Sequence, residues 1–164
     1  MSRLLERLRK YKDDRGMMAN LRCVLVDNKK HRAWPALNRL GVNIRDDIPA
    51  YVAGLFASHP EERSDGNFGD TCKAIEQSRG DQRSDDNKLT PIERRFQQLL
   101  TAEKGAELYG RVLRMVLLAK SQGIPVNYAQ LETDLKFWPD DRIKTRWAAA
   151  FWAQGVVPVD KEGI

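Results

Sequence analysis

The sequence has few of the residues that build metal centres and disulfide frameworks. Its 164 residues include two cysteines, Cys23 and Cys72, and two histidines, His31 and His59, all far apart along the chain. A structural zinc site needs Cys or His ligands at close spacing, whereas an isolated thiol usually behaves as a small hydrophobic group. We therefore expect no disulfide framework, no bound metal and no cofactor.

The sequence also lacks long apolar runs and the local motifs of enzymes. No run approaches the roughly 20 residues of a membrane span, and the N-terminus has no apolar signal-peptide region. There is no glycine-rich phosphate loop, no nucleophile elbow and no obvious Ser/His/Asp set. Adjacent carboxylates such as Asp46 and Asp47 lie at presumed helix starts or in loops, where capping and solubility explain them better than catalysis. These absences predict a cytoplasmic protein that is not an enzyme and does not contact a membrane.

Apolar residues recur at helical spacing along most of the chain, and no strand-like alternation of useful length interrupts them. This pattern predicts an all-α protein made of two small, packed, bundle-like helical lobes without a sheet. The predicted parts are an N-terminal lobe (1–57), a polar loop with one short helix (58–89), a C-terminal lobe (90–153) and a flexible tail (154–164). Gly, Ser, Asp, Asn and Arg dominate the polar part, which favours a lobe boundary there.

Two helices of the C-terminal lobe have clear signals. Thr90 and Glu93 have the spacing of a capping box, and Pro91 takes the first helical position. The next helix, about 103–122, is apolar over most of its circumference. We therefore expect it to be the central helix of its lobe.

The four tryptophans divide into two groups. Trp34, Trp138 and Trp147 occur at helical spacing among apolar residues, which predicts that they lie in the core. Trp152 should point away from the buried face of the last helix. It is the exposed aromatic residue that could contact another protein or stack on an unpaired base.

The net charge of +5 is distributed unevenly. Residues 1–57 hold 12 Lys and Arg against 6 Asp and Glu, and residues 90–153 hold 10 against 7. The segment 58–89 between them is acidic, with 5 against 8. Two basic structured segments separated by an acidic one fit a polyanionic partner better than a charge that serves solubility alone.

Arginines on apolar helices are the main functional signal. Arg111 could simply pair with Glu107 one turn earlier, but Arg94, Arg95 and Arg114 have no acidic residue four positions C-terminal to them. The planar fork of arginine matches phosphate oxygens, so a rigid helical surface of this kind predicts binding to a nucleic-acid backbone. A helical scaffold or adaptor whose arginines make only protein contacts is the alternative.

Several short motifs, in order and at matching spacing over residues 15–152, resemble a known family. The motifs are Arg15-Gly16, Leu21-Arg22, Trp34-Pro35, Asn67-Phe68-Gly69-Asp70, Glu93-Arg94-Arg95-Phe96, Leu99-Leu100, Glu107-Leu108, Arg111, Leu113-Arg114, Tyr128, Leu131, Asp134-Leu135, Trp138, Trp147 and Phe151-Trp152. Together they resemble the small subunit of the type I-E CRISPR Cascade complex, the CasB family.

The resemblance implies two packed helical lobes without catalytic activity. Its implied partners are the target and displaced DNA strands, the guide RNA indirectly, the other Cascade subunits and a second copy of the chain. In the family, a basic groove steadies the DNA strands of the R-loop independently of their sequence. Protein contacts of this kind tip a nearly balanced strand exchange, whereas guide pairing supplies specificity.

The resemblance also implies which residues form the groove. They are Arg22 of the Leu-Arg segment, Arg94 and Arg95 of the Glu-Arg-Arg segment, Arg111 and Arg114 of the next helix, and Arg142 and Arg146 where the last helix often carries charge. Two positions depart from the family. Cys23 follows Arg22 where many members have a second arginine, and Thr101 stands where a basic residue can occur. We therefore expect a less charged groove in this chain.

Overall fold

The computed structural model of the chain describes residues 3–80 and 88–153. Within these ranges the protein is all-α, as predicted. It has nine α-helices: α1 (Arg3–Lys10), α2 (Arg15–Arg22), α3 (Trp34–Arg39), α4 (Asp47–Ser58), α5 (Phe68–Arg79), α6 (Pro91–Leu100), α7 (Ala106–Gln122), α8 (Tyr128–Lys136) and α9 (Asp141–Phe151). Two 3-10 segments, Cys23–Leu25 and Asp27–Ala33, connect α2 to α3. None of the helices in the described ranges has both the length and the apolar character required to cross a bilayer.

Helix α4 is the most deeply buried helix of the fold. Apart from Asp47 and the half-buried Pro49, all of its residues are buried, and it packs against α1, α2, α7 and α8. Helix α7 was expected to be central, yet only one of its faces is buried, and Leu117 on another face is 46% exposed. A wide apolar circumference shows what a helix could bury, not whether other elements cover every side. That α7 is the central helix of its lobe stays a prediction.

A close contact between α5 and α9 joins distant parts of the chain. A Cβ atom at Gly69 would overlap the backbone carbonyl of Trp147, so glycine allows the two helices to approach. Beside this contact, the rings of Phe68 and Trp147 lie 5.4 Å apart, and the Trp147 indole donates to Asp134 Oδ2 at 2.8 Å. The polar ends of two buried side chains are thereby satisfied within an apolar environment.

The buried side chains form one connected cluster that contains residues of both predicted lobes. At one junction, His59 Nε2 lies 2.6 Å from the carbonyl oxygen of Ile124, and the Tyr128 hydroxyl donates to the His59 carbonyl at 2.6 Å. A single parallel bridge between Glu62 and Val126 adds to this junction. The division into lobes stays a prediction, and the expected flexible tail lies outside the described residues.

The tryptophans only partly follow the sequence-based expectation. Trp138 and Trp147 are buried, as predicted, with 3% and 0% of their surface exposed. Trp34 is 46% exposed, so the prediction that it lies in the core is wrong. It begins α3, whose inward face is supplied by Ala36 and Leu37 instead. Helical spacing identified the helix but not which residues of its first turn face inward.

Candidate nucleic-acid interface

Three arginines from two helices converge on one recess. Helix α6 buries Ile92, Phe96 and Leu99, which leaves Arg95 and Gln98 on its exposed side. Helix α7 presents Arg111 and Arg114, one turn apart, towards the same place. The recess is lined by Arg95, Gln98, Arg111, Arg114 and Met115, and we call it the arginine recess.

Arg111 is held in place within this site by two side chains. Its Nη2 donates to Glu107 Oε2 at 3.2 Å, as the sequence predicted, and its Nη1 donates to Gln98 Oε1 at 3.2 Å. A hydrogen bond from the backbone N–H of Glu103 and another from Arg111 lower the pKa of Glu107, which keeps that carboxylate ionised. The guanidinium of Arg111 is therefore positioned by side chains of both helices.

Arg95 and Arg114 are exposed and have neither an ion pair nor a hydrogen bond with any residue of the described ranges. Arg94, the next residue of α6, is also exposed, but its Nη1 donates to the carbonyl of Leu89 at 3.3 Å. Glu107 is the only acidic group whose ion pair with a recess arginine is seen in the described part of the chain. The arginine recess therefore keeps a net positive charge and two guanidinium groups that are available to an anion.

The N-terminal end of α6 is fixed by a network of hydrogen bonds. The predicted capping box is present: Thr90 Oγ1 accepts from the Glu93 N–H at 3.1 Å, and Glu93 Oε1 accepts from the Thr90 N–H at 2.9 Å. The Thr90 hydroxyl donates to Glu76 of α5. Glu93, which is 4% exposed, also accepts from the Trp152 indole at 2.9 Å. The helix that carries Arg95 is thus tied to α5 and to the end of α9.

Trp152 therefore differs from its prediction. It was expected to point away from the buried face, but its ring packs edge-on against Phe96, with centroids 5.3 Å apart, and against Phe151 at 4.9 Å. Its indole N–H is used by Glu93, and 38% of its surface remains exposed. Trp152 makes a contact within the chain because the C-terminal end of α9 lies against α6.

The two arginines of α9 lie on a different surface. Arg142 and Arg146 line a recess beside Phe137, which is 64% exposed. The Arg142 side chain donates two hydrogen bonds to Asp140, at 2.9 and 3.3 Å, and its backbone N–H donates a third at 2.8 Å. The side-chain bonds, followed by the backbone bond, lower the pKa of Asp140 to about 2. Arg146 is exposed, and its side chain faces Asn67 and Gln130 in a second depression. Neither arginine lines the arginine recess.

Arg22 is used within the fold. Its Nη1 donates to the carbonyl of Ala57 at 3.0 Å and so ties the end of α2 to the end of α4. Its guanidinium is not part of the arginine recess. Of the predicted residues, the structure therefore brings together Arg95, Arg111 and Arg114, with Arg94 beside them.

Sequence reasoning did not single out Gln98 or Met115 as site residues. Gln98 is three residues after Arg95, on the same side of α6, and this spacing could have identified it. Met115 had no distinguishing signal. The described part of the chain contains no group of three or more His, Cys, Asp or Glu side chains that could hold a metal ion.

Comparisons with known proteins agree with this architecture. A crystal structure of a Cse2-family CRISPR-associated protein from Thermus thermophilus is 20% identical, with a TM-score of 0.73 over 93% of this chain and 97% of that one. A crystal structure of CasB, also from Thermus thermophilus, is 19% identical, with a TM-score of 0.71 over 93% and 97%. CasB from M. ruber is 24% identical, with a TM-score of 0.64 over 92% and 93%. No curated protein sequence matches the chain.

At these sequence identities the solved structures establish the fold alone. The assignment to a family comes from the match of the sequence to a family model. The model of the family described as CRISPR-associated protein Cse2 matches residues 7–152, which is most of the chain. The matched residues include α6 and α7, which form the arginine recess, and α5 and α9, which contact each other at Gly69. The resemblance drawn from short motifs is confirmed: the chain belongs to the Cse2 family, the CasB family of type I-E Cascade.

Proposed function

We propose that this chain is a non-catalytic small subunit of Cascade that binds the backbone of R-loop DNA through the arginine recess. The observation that carries the proposal is the exposure of Arg95 and Arg114, without partners in the described ranges, in the same recess as the positioned Arg111. The proposed partners are the target and displaced DNA strands, the other Cascade subunits and a second copy of the chain. The guide RNA takes part indirectly, and the complex is cytoplasmic.

The geometry suits a phosphate better than a base. Guanidinium groups form paired, charge-assisted hydrogen bonds with phosphate oxygens, and two such groups lie free at one recess. Trp152, the aromatic residue expected to stack on a base, uses its indole N–H within the chain. Contacts with phosphates alone supply affinity without sequence preference through release of counterions. Such binding fits a subunit that holds strands whose sequence is read by guide pairing.

The test is binding of single-stranded DNA by the complex assembled with this chain, measured across a salt series. We expect the double variant Arg95→Glu/Arg114→Glu to bind at least tenfold more weakly at low salt. Because each lost phosphate contact lowers the salt slope by about one, the slope of log K against log salt should fall by about two. Lys120→Glu is the control for a charge reversal on α7, since Lys120 is exposed on this helix but lies outside the recess.

A scaffold whose arginines make only protein contacts is the second candidate. It is favoured by Arg22 and Arg142, both of which already bind groups of this chain. If the double variant assembles normally and keeps both its DNA affinity and its salt slope, the DNA-binding proposal is wrong and the scaffold is the better description. The isolated subunit should bind DNA weakly, because it supplies only part of the surface that the complex offers.

A further inference from the structure

A second recess lies on the opposite part of the α7 surface, where α3, α4 and the first turn of α7 meet. Its lining includes Trp34, Ile44, Tyr51, Tyr109, Lys30 and Asp47, and we call it the Trp34 recess. Trp34 is 46% exposed and Ile44 44% exposed, which is unusual for two large apolar residues at one place. An exposed apolar patch with a polar rim is typical of a protein contact surface.

The floor of the Trp34 recess is already ordered. The rings of Tyr51 and Tyr109 stack with centroids 4.7 Å apart, and the Tyr51 hydroxyl donates to the Tyr109 carbonyl. The ring of His31 stands edge-on to Trp34 at 6.4 Å. The recess encloses about 250 Å³. This is smaller than the roughly 300 to 1,000 Å³ of sites for small molecules and suits one large apolar side chain.

The charge at the rim restricts what can bind. Asp46 and Asp47 begin α4, are exposed, and have no ion pair with any residue of the described ranges. Asp47 lines the recess, and Asp46 precedes it as the N-cap of α4. Burial, followed by the negative charges of Asp47 and Asp46, raises the pKa of Tyr109. Lys30 is already paired with Asp27 at 3.5 Å. Of the charged residues that line the recess, Asp47 is the one without an ion pair in the described ranges, which disfavours a phosphate and favours a basic side chain.

We propose that the Trp34 recess is the docking site for a neighbouring protein subunit of the complex. The partner inserts one large apolar side chain against Trp34 and Ile44, and a lysine or arginine beside it pairs with Asp46 and Asp47. The inference rests on the proposed assembly into a complex but not on the DNA contacts of the arginine recess, because the two surfaces share no lining residue.

The test measures incorporation of this chain into the complex assembled from the other subunits and guide RNA. The purified chain is titrated into the complex that lacks it, and incorporation is followed by size-exclusion chromatography. We expect Trp34→Ser to weaken incorporation at least tenfold and Asp47→Lys to weaken it several-fold. Thermal unfolding of each isolated variant, unchanged from wild type, shows that the fold is intact.

Two matched controls separate the site from general surface effects. Phe137→Ser removes an apolar side chain that is 64% exposed on another surface, and Asp141→Lys reverses a charge in the first turn of α9. Both controls should incorporate within about twofold of wild type. DNA binding by the assembled complex, measured with the Arg95→Glu/Arg114→Glu variant, reports on the arginine recess separately, so failure of one proposal does not imply failure of the other.

Three results would overturn the docking proposal. Normal incorporation of Trp34→Ser with weaker DNA binding would assign Trp34 to a stacked base. If Trp34→Ser weakens only the self-association of the purified chain, the recess binds a second copy of the chain instead. Normal incorporation of Asp47→Lys would exclude the basic side chain that the rim charge requires.

Discussion

The two recesses use different faces of one helix. Tyr109, in the first turn of α7, forms part of the floor of the Trp34 recess, whereas Arg114 lines the arginine recess. They are five positions apart, so at 3.6 residues per turn they differ by about 140° around the helix axis and about 7.5 Å along it. Helix α7 can therefore present an apolar surface and a basic surface whose partners do not compete for space.

The two recesses also differ in the sign of their free charge. Within the described ranges, Arg95 and Arg114 of the arginine recess have no acidic partner, while Asp47 of the Trp34 recess has no basic partner. Charges of opposite sign at the two recesses select different partners, since each surface repels what the other attracts. The net charge of +5 gives no indication of this separation, because it averages over both surfaces.

A substitution in the core should weaken the fold that positions both surfaces. Gly69→Val places side-chain atoms where the Trp147 carbonyl lies, so α5 and α9 must separate. We expect the free energy of unfolding to fall by about 3 kcal/mol, measured by urea denaturation. Gly110→Ala is the control, because nothing lies within 4 Å of a Cβ at this helical position. The control should be stabilised by about 0.5 to 1 kcal/mol. A stable Gly69→Val protein would contradict the close α5–α9 contact.

The two exposed tryptophans should respond differently to the same change. Trp152→Phe keeps the contacts with Phe96 and Phe151 but removes the hydrogen bond to the buried Glu93 carboxylate. Because hydrogen bonds to charged groups contribute about 1.5 to 3 kcal/mol, we expect the free energy of unfolding to fall by about 2 kcal/mol.

Trp34→Phe is the matched control for that prediction. Its indole belongs to the exposed Trp34 recess, and a surface change of this kind should alter stability by no more than about 0.5 kcal/mol. Equal decreases in the free energy of unfolding for the two variants, measured by denaturant unfolding, would show that the hydrogen bond of Trp152 does not stabilise the contact with α6. The comparison would then fail to separate a tryptophan that supports the arginine recess from one that is available to a partner.

The sequence was sufficient where all the interacting atoms are close along the chain. The capping box of Thr90 and Glu93 and the pair of Glu107 and Arg111 could be predicted because each lies within one helical turn. The family could be recognised because its motifs keep their order. The positions of Trp34 and Trp152 could not be predicted in the same way. Trp152 meets Glu93 across 59 residues, and such contacts depend on how α9 packs on α6.

The same limit applies to the candidate site. Seven arginines matched basic positions of the family, but the sequence could not distinguish those that are used within the fold from those that remain available. Arg22 binds a backbone carbonyl 35 residues away, whereas Arg95 and Arg114 have no partner in the described ranges. The meeting of Arg95 with Arg111 also requires the packing of α6 on α7. Availability is therefore a property of the tertiary structure.

The smallest expected effect concerns Arg142, which sharpens the difference between paired and unpaired arginines. Its hydrogen bonds lower the pKa of Asp140 from 3.8 to about 2. The interaction is therefore fully present above pH 3.8 and is lost as the pH falls towards 2. In a carboxyl NMR titration, Arg142→Gln should return the midpoint of Asp140 towards 3.8, while Arg95→Gln should leave it unchanged. Arg142 must give up its hydrogen bonds with Asp140 before it can bind a phosphate. Arg142→Gln should therefore weaken DNA binding less than Arg95→Gln does. The reverse order would place the DNA on α9 rather than on the arginine recess.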